Sequence, residues 1–316
     1  MIRYQLDIQP EPAEKKINYH DKLLMLGSCF SEHIAGRLSN LKFNVIPQPL
    51  GIVFNPDSLA KPFIQMFQGK TYTKKDLLFQ NDIWYSKFHH GVFSDVDAGV
   101  LLELMNKTQA DFEEGIKYAK FLFITLGSAW VYRLKEGGEI VANCHKIPQL
   151  NFTKELLDAD MIVSIWTKIL GQLKQLAPQL QVVLTVSPVK HLRDGVTENT
   201  VSKSMLLVAI HRLKLLYPDL TYFPAYELVN DDLRDYRFYE QDGAHPNGMA
   251  IHYVFDKFIG TYLDSDTMEY VKQMEKFNLL KSHRVSRQEG PEYEVYIKNL
   301  ANIKQVILAK FGINAE

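Results

Sequence analysis

Lys22-Leu23-Leu24-Met25-Leu26-Gly27-Ser28-Cys29-Phe30 decides the fold. Lys22 to Leu26 is a short, mostly apolar run that stops at glycine, the pattern of a buried strand. Directly after it, Phe30, Ile34 and Leu38 recur at spacings of four within Cys29 to Leu38, one stripe of a helix. A buried strand that turns at once into a helix is the opening of an α/β unit, and it leaves Ser28 on the turn.

Outward from this unit the alternation continues. Phe43 to Ile46 reads as a second strand ended by Pro47 and Pro49, and Asp57 to Phe67 as a helix with Asp57 as N-cap, weakened by Pro62 in its first turns. Gln68 to Asp97 carries Trp84, Tyr85, Phe88, His89, His90 and Phe93 without a clean period, an aromatic-rich excursion with room for short strands. A helical stretch from Val100 to Tyr118 leads into the apolar strand Phe121 to Leu126. Trp130 to Arg133 and Glu139 to Asn143 flank Gly137-Gly138 as a β-hairpin.

Then come a helix at Lys154 to Gln175, a strand at Gln181 to Val186, a helix at Thr197 to Tyr217, a strand at Leu220 to Phe223 and a helix at Gly248 to Tyr262. Long helices between apolar strands predict right-handed crossovers and a largely parallel sheet. Residues 1–262 read as one domain and 263–316 as a charged, helical extension with Tyr296, Leu300, Ile303 and Ile307 on its apolar stripe. That extension docks on the core or carries a partner surface.

The chain has 316 residues, 46% hydrophobic and 23% charged, with a formal net charge of -1, so no basic field recommends nucleic acid or an anionic membrane. Its first residues show no secretory signal and no apolar run is long enough to span a bilayer. With no export signal, Cys29 and Cys144 are expected as reduced thiols in a cytoplasmic protein.

Ligands of open parallel sheets gather at the carboxyl ends of the strands. Four apolar runs here lead to Gly27-Ser28, Gly127-Ser128, Ser187-Pro188 and a longer loop ending in Asp242-Gly243-Ala244-His245-Pro246-Asn247. A serine hydroxyl needs a base within hydrogen-bond reach; His245 can be that base and Asp242, three residues earlier, can hold its imidazole. Equally, Ser28 can simply cap its helix, while Asp242 closes an Asx turn and Asn247 caps the next helix. A D-x-x-H pair can also ligate a metal, with His89, His90, Cys144 and His145 as further donors, but their spacing matches no tight zinc pattern.

Leu26-Gly27-Ser28-Cys29-Phe30-Ser31-Glu32 closely resembles the signature of the GSCFA family, with Ser31 where the family has alanine. TLGSAWVY (125–132), VANCHK (141–146), TVSPVKHLRDG (185–195) and LRDYRFYEQDGAHPN (233–247) resemble it too, so the likeness extends over most of residues 20–260. That family is grouped with the SGNH/GDSL hydrolases. The resemblance implies a three-layer αβα sandwich with a flavodoxin-like, mostly parallel sheet, and it implies Ser28 as nucleophile with Asp242 and His245 completing the triad. It implies oxyanion donors at the Ser28 N–H and a second glycine N–H, taken as Gly51. The superfamily's asparagine after the middle strand has no counterpart, since Gly127 is followed by Ser128, Ala129 and Trp130; Ser128, Asn143 or His145 is expected to replace it. His89, His90, His145 and Arg193 are candidate substrate-binding residues, Arg193 equally being half of a surface ion pair. The expected activity is an esterase or acyltransferase acting on an O-acyl ester of a small molecule or carbohydrate, without a cofactor. The rivals are a silent binding protein that keeps the pocket and a metal-assisted hydrolase.

Overall fold

The computed structural model describes residues 6–282 and 289–315. The first five residues, 283–288 and residue 316 lie outside it, and with them parts of the N-terminal stretch and of the tail read above.

Leu23–Gly27 is β1, Cys29–Asn40 α1 and Val45–Pro47 β2. Pro56–Gln68 forms α2; Leu77–Gln80, Ile83–Ser86 and Ser94–Asp95 form β3, β4 and β5. Ala98–Tyr118 is α3, Phe121–Leu126 β6, Trp130–Leu134 β7, Ile140–Val141 β8 and Phe152–Leu156 β9. Ala159–Leu176 is α4, Gln181–Val186 β10, Val196–Leu216 α5, Thr221–Phe223 β11 and Ala225–Glu227 a short α6. Gly248–Tyr262, Ser265–Ser282 and Pro291–Phe311 are α7, α8 and α9.

β1, β2, β6, β10 and β11 pair in parallel in the order β11-β10-β6-β1-β2. In chain order that is the flavodoxin-like 2-1-3-4-5 arrangement, as expected. The order reverses between β1 and β6, which is where such sheets open a ligand crevice. The central strands are buried on both sides, and alternate residues face two separate cores. Leu23, Met25, Phe121, Phe123, Val183 and Phe223 face one, against α1 and α7. Leu24, Leu26, Leu122, Ile124, Leu184 and Val186 face the other, against Phe63 of α2, Phe112 of α3, Trp166 of α4 and Leu206 and Ile210 of α5. The stripe expected on α1 is there: Phe30, Ile34 and Leu38 are all buried.

Two expectations about element boundaries need correction. The N-cap of α2 is Asn55, which accepts from the Ser58 N–H, with Pro56 at the first helical position; a proline there needs no N–H partner. Residues 154–156 belong to β9, not to the following helix: β9 fills the free edge of β7, and the helix begins only after Asp158 caps it through the Met161 N–H. The aromatic-rich excursion does hold short strands: they form the antiparallel sheet β3-β4-β5 over a small core of Tyr72, Leu77, Phe88 and Phe93 with Leu101 and Met105 of α3.

His89 belongs to that small core rather than to a substrate site. It is fully buried, stacks on Phe93 at 4.4 Å and meets the Ser86 hydroxyl through Nδ1 at 2.7 Å. Burial pushes its pKa down to about 3.

α8 and α9 pack on the α1/α7 side through Tyr270, Met274, Phe277, Ile303, Ile307 and Phe311. Tyr270 stacks on Tyr19, lies edge-on to Phe43 and Phe311, and donates to the Leu41 carbonyl at 2.7 Å. No helix among the described residues is long and apolar enough to cross a membrane.

Two outcomes follow from this packing. Gly27 has φ +128°, and a Cβ there would lie 2.2 Å from the Thr125 carbonyl oxygen. Gly27→Ala is expected to cost at least ~2 kcal/mol of stability by urea unfolding, since the obstructing atom is backbone. For His89, the unfolded chain takes its proton near pH 6.5 and the folded chain only near 3. The unfolded state therefore binds more protons across that window, and folding stability is lost as the pH falls through it. Urea midpoints at pH 7, 5.5 and 4 should fall more steeply in wild type than in His89→Gln.

Candidate functional site at the carboxyl edge of the sheet

Ser28 sits at the switch point between β1 and β6. Its backbone is extended (φ −72°, ψ 169°), and its side chain makes no cap bond to α1. The helix-cap reading of Ser28 therefore fails. Its Oγ is buried and has no hydrogen-bond partner among the described residues. The first-turn N–H groups of Cys29 and Phe30 face the Cys29 sulfur instead, and burial still raises that thiol's pKa, so Cys29 is not activated.

The peptides around Ser28 are held rigidly. Gly27 N–H donates to Gln48 Oε1 at 3.0 Å, and Gln48 Nε2 donates to the Ser28 carbonyl at 3.0 Å. Gln48 thus grips both sides of the turn with one amide, from a left-handed backbone (φ +43°) between Pro47 and Pro49. The only hint of this in the sequence is a polar residue set between two prolines just after a strand.

Ser28 N–H donates to the Thr125 carbonyl at 3.2 Å, and Gly51 N–H to the Gln48 carbonyl at 2.8 Å. Both N–H groups expected as oxyanion donors are therefore already engaged. The Ser128 hydroxyl is engaged too: it meets Ser202 Oγ at 3.1 Å and accepts from the Trp130 N–H. Asn143 Oδ1 accepts from the His145 N–H, and His145, 7% exposed, stacks on Tyr85 and reaches the Ser86 carbonyl through Nε2 at 2.7 Å. These contacts tie the β7–β8 hairpin region to the aromatic excursion. His90 lies against Gly51, with its N–H on the Leu50 carbonyl, at the rim of the same edge. Arg193 is exposed and lies over the Tyr132 ring at 6.0 Å, while its neighbour Asp194 pairs with Lys154.

Asp242 and His245 are together. Asp242 Oδ1 accepts the N–H groups of Ala244 (2.8 Å) and His245 (3.0 Å), and Oδ2 meets His245 Nδ1 at 2.6 Å. One carboxylate oxygen makes the Asx turn and the other meets the ring, so a single side chain both closes the turn and orients the imidazole. Those two N–H groups and then the imidazole hold the Asp242 carboxyl at about 2. An ionised Asp242 accepts only, so His245 carries its proton on Nδ1 and leaves Nε2 as the basic atom. The pair is half exposed, and Asn247 caps α7 as expected, accepting from Met249 and Ala250.

Backbone contacts carry this loop to the Ser28 edge. Lys190 N–H donates to the Ala244 carbonyl at 3.0 Å, next to His191. His191 stacks on Phe54 at 4.8 Å, and the Phe54 carbonyl accepts the Gly127 N–H at 2.7 Å. Burial, then the nearby Lys203 and His245, push the His191 pKa down to about 3, and its Nε2 is buried without a partner. The Ser28–His245 hydrogen bond itself is not formed, because Ser28 Oγ makes none. Catalytic hydrogen bonds often tighten only when substrate binds.

Among the described residues no three His, Cys, Asp or Glu side chains cluster as a metal site would require. A cavity of about 410 Å³ opens elsewhere, at the amino ends of β10 and β11 beside Gln181 and Thr221.

No match is found among curated proteins. Among solved structures, the chain is similar to the crystal structure of a carbohydrate esterase family 3 protein from Talaromyces cellulolyticus, at 9% identity and a TM-score of 0.26. That match covers 51% of this chain and 65% of the other, less than two thirds of its length, and says nothing of this chain's substrate. The model of the GSCFA family matches residues 22–258, which include Ser28, the Gln48 clamp, the Gly127 turn and the Asp242–His245 pair. The chain belongs to the GSCFA family.

Proposed function

We propose that the protein is a serine hydrolase of O-acyl esters, with Ser28, His245 and Asp242 as its triad. The observation that carries this reading is the Asp242–His245 pair. A carboxylate fixed by two backbone N–H groups holds Nδ1 at 2.6 Å. The remaining nitrogen lies on a loop tied to the carboxyl edge where Ser28 keeps an uncommitted hydroxyl.

In the reaction, Ser28 Oγ attacks the ester carbonyl while His245 Nε2 takes its proton. Asp242 stabilises the imidazolium that forms and keeps the ring in place. The tetrahedral intermediate collapses, His245 returns the proton to the leaving alkoxide, and an acyl-Ser28 ester remains. Water activated by His245 then releases the acid, or an acceptor hydroxyl takes the acyl group in an acyltransferase.

A second reading is favoured by a specific observation. The Ser28 and Gly51 N–H groups are engaged and Ser28 Oγ is enclosed, which suits a binding protein that keeps the pocket without turnover.

Fluorophosphonate labelling followed by peptide mapping separates the two. The hydrolase reading expects the label on Ser28 of the wild type. With a short-chain aryl ester, Ser28→Ala should lower kcat by roughly 10³-fold or more, and Asp242→Asn by at least about 10²-fold with KM little changed. An unlabelled Ser28 together with no turnover in wild type leaves the binding reading standing, and turnover undiminished in Ser28→Ala overturns the triad.

A further inference from the structure

Lys203 is a buried cation in a place no serine mechanism assigns. It lies on α5, is 1% exposed, and its Nζ donates to the carbonyls of Gly127 (2.6 Å) and Ser187 (2.7 Å). Those carbonyls directly follow β6, the neighbour of β1, and β10, the neighbour of β6 on its other side. The β6–β10 ladder closes with Leu126 paired to Val186 and the Ser187 N–H on the Leu126 carbonyl. The next rung of a parallel ladder would be Ser128 N–H to the Ser187 carbonyl. Lys203 takes that carbonyl instead. The Ser128 N–H consequently has no acceptor among the described residues, although Ser128 is only 3% exposed.

The rest of α5 supports the same turn. Ser202 Oγ accepts from the Ala129 N–H and meets the Ser128 hydroxyl, and Asn199 Oδ1 accepts from the His191 N–H at 2.9 Å. Asn199, Ser202 and Lys203 are all buried, a polar stripe directed at the loops following β6 and β10. Peptides here are trans, so the Gly127 carbonyl and the Ser128 N–H point in opposite directions. With the carbonyl fixed on Lys203, the N–H points away from α5. A buried N–H left without an acceptor is rare in folded proteins, and this one sits at the switch point beside Ser28.

We propose that Lys203 is a positioning residue that frees the Ser128 backbone N–H and aims it as the oxyanion donor, replacing the asparagine side chain this chain lacks after Gly127. The proposal rests on the serine-hydrolase reading. Lys203 also places a positive charge under the developing oxyanion. Its ammonium faces Cys29 of α1, His191 of the loop after β10 and the Tyr226 ring of α6 at 5.9 Å. Burial lowers its pKa to about 7. The charge is present below that value and lost above it, while the neutral amine keeps N–H groups for both carbonyls.

The experiment uses the full-length chain with a short-chain aryl ester and a fluorophosphonate. Lys203→Met should lower kcat by roughly 10²-fold, as for loss of one oxyanion donor, with KM within about threefold. Wild-type kcat should fall as the pH rises through about 7, and that limb should be absent in Lys203→Met. In the structure of the phosphonylated wild type, the phosphonyl oxygen should lie within ~3.1 Å of Ser128 N. That measurement decides the matter if the variant does not fold. A labelled wild type whose phosphonyl oxygen points elsewhere, or a folded Lys203→Met with unchanged kcat and pH profile, overturns the role of Lys203 and leaves the triad intact. A wild type that never labels overturns both.

Discussion

The approach of Gly27 to Thr125 is the constraint on which the rest of the site depends. At φ +128° the last residue of β1 brings its Cα so close to the β6 backbone that a methyl group would sit 2.2 Å from the Thr125 oxygen. The same approach lets the Ser28 N–H bond that oxygen. Parallel pairing therefore runs one residue past the strand, and Ser28 starts its helix from a locked peptide instead of a free loop. Gln48 completes the lock from the other side, so the position of Ser28 is set by backbone and amide contacts before any substrate is present. Sites held within a few tenths of an ångström by surrounding shells are the ones that can do chemistry.

The second structural support is polar and comes from α5. A core helix directing an asparagine, a serine and a lysine inward is costly unless every group is partnered. Here each one bonds a loop backbone atom: the His191 N–H, the Ala129 N–H, and the Gly127 and Ser187 carbonyls. The helix thereby fixes the two loops that flank the switch point. His191, stacked on Phe54 and hydrogen-bonded through its N–H to that polar stripe, stays neutral at ordinary pH, while His245 lies half exposed against Asp242.

Much of this was legible in the sequence. Apolar runs of five or six residues gave the buried strands, two of them ending at glycine and one at Ser187, because a strand covered on both faces has few polar positions to blur the signal. The spacing of Phe30, Ile34 and Leu38 fixed the buried face of α1, and the D-x-x-H spacing is short enough for one carboxylate to reach both the backbone and the ring. The donors were not legible. Whether the N–H of Ser28 or Gly51 is free depends on the Thr125 and Gln48 carbonyls, which come from other segments. His89 and His145 looked like pocket residues because histidine is polar, yet aromatic neighbours distant in sequence enclose both.

Sequence alone thus determined the alternation of strands and helices, the residue on the first turn and the Asp242–His245 pair, all of which rest on contacts within a few residues. Only the tertiary structure decided that Ser28 does not cap its helix, that Gln48 holds it, and that Lys203 reaches between the ends of β6 and β10. Those outcomes belong to hydrogen bonds between segments 16 to 76 residues apart. Such bonds leave no periodicity in the chain, because a single lysine on an amphipathic helix reads as solvated until the strands it faces are in place.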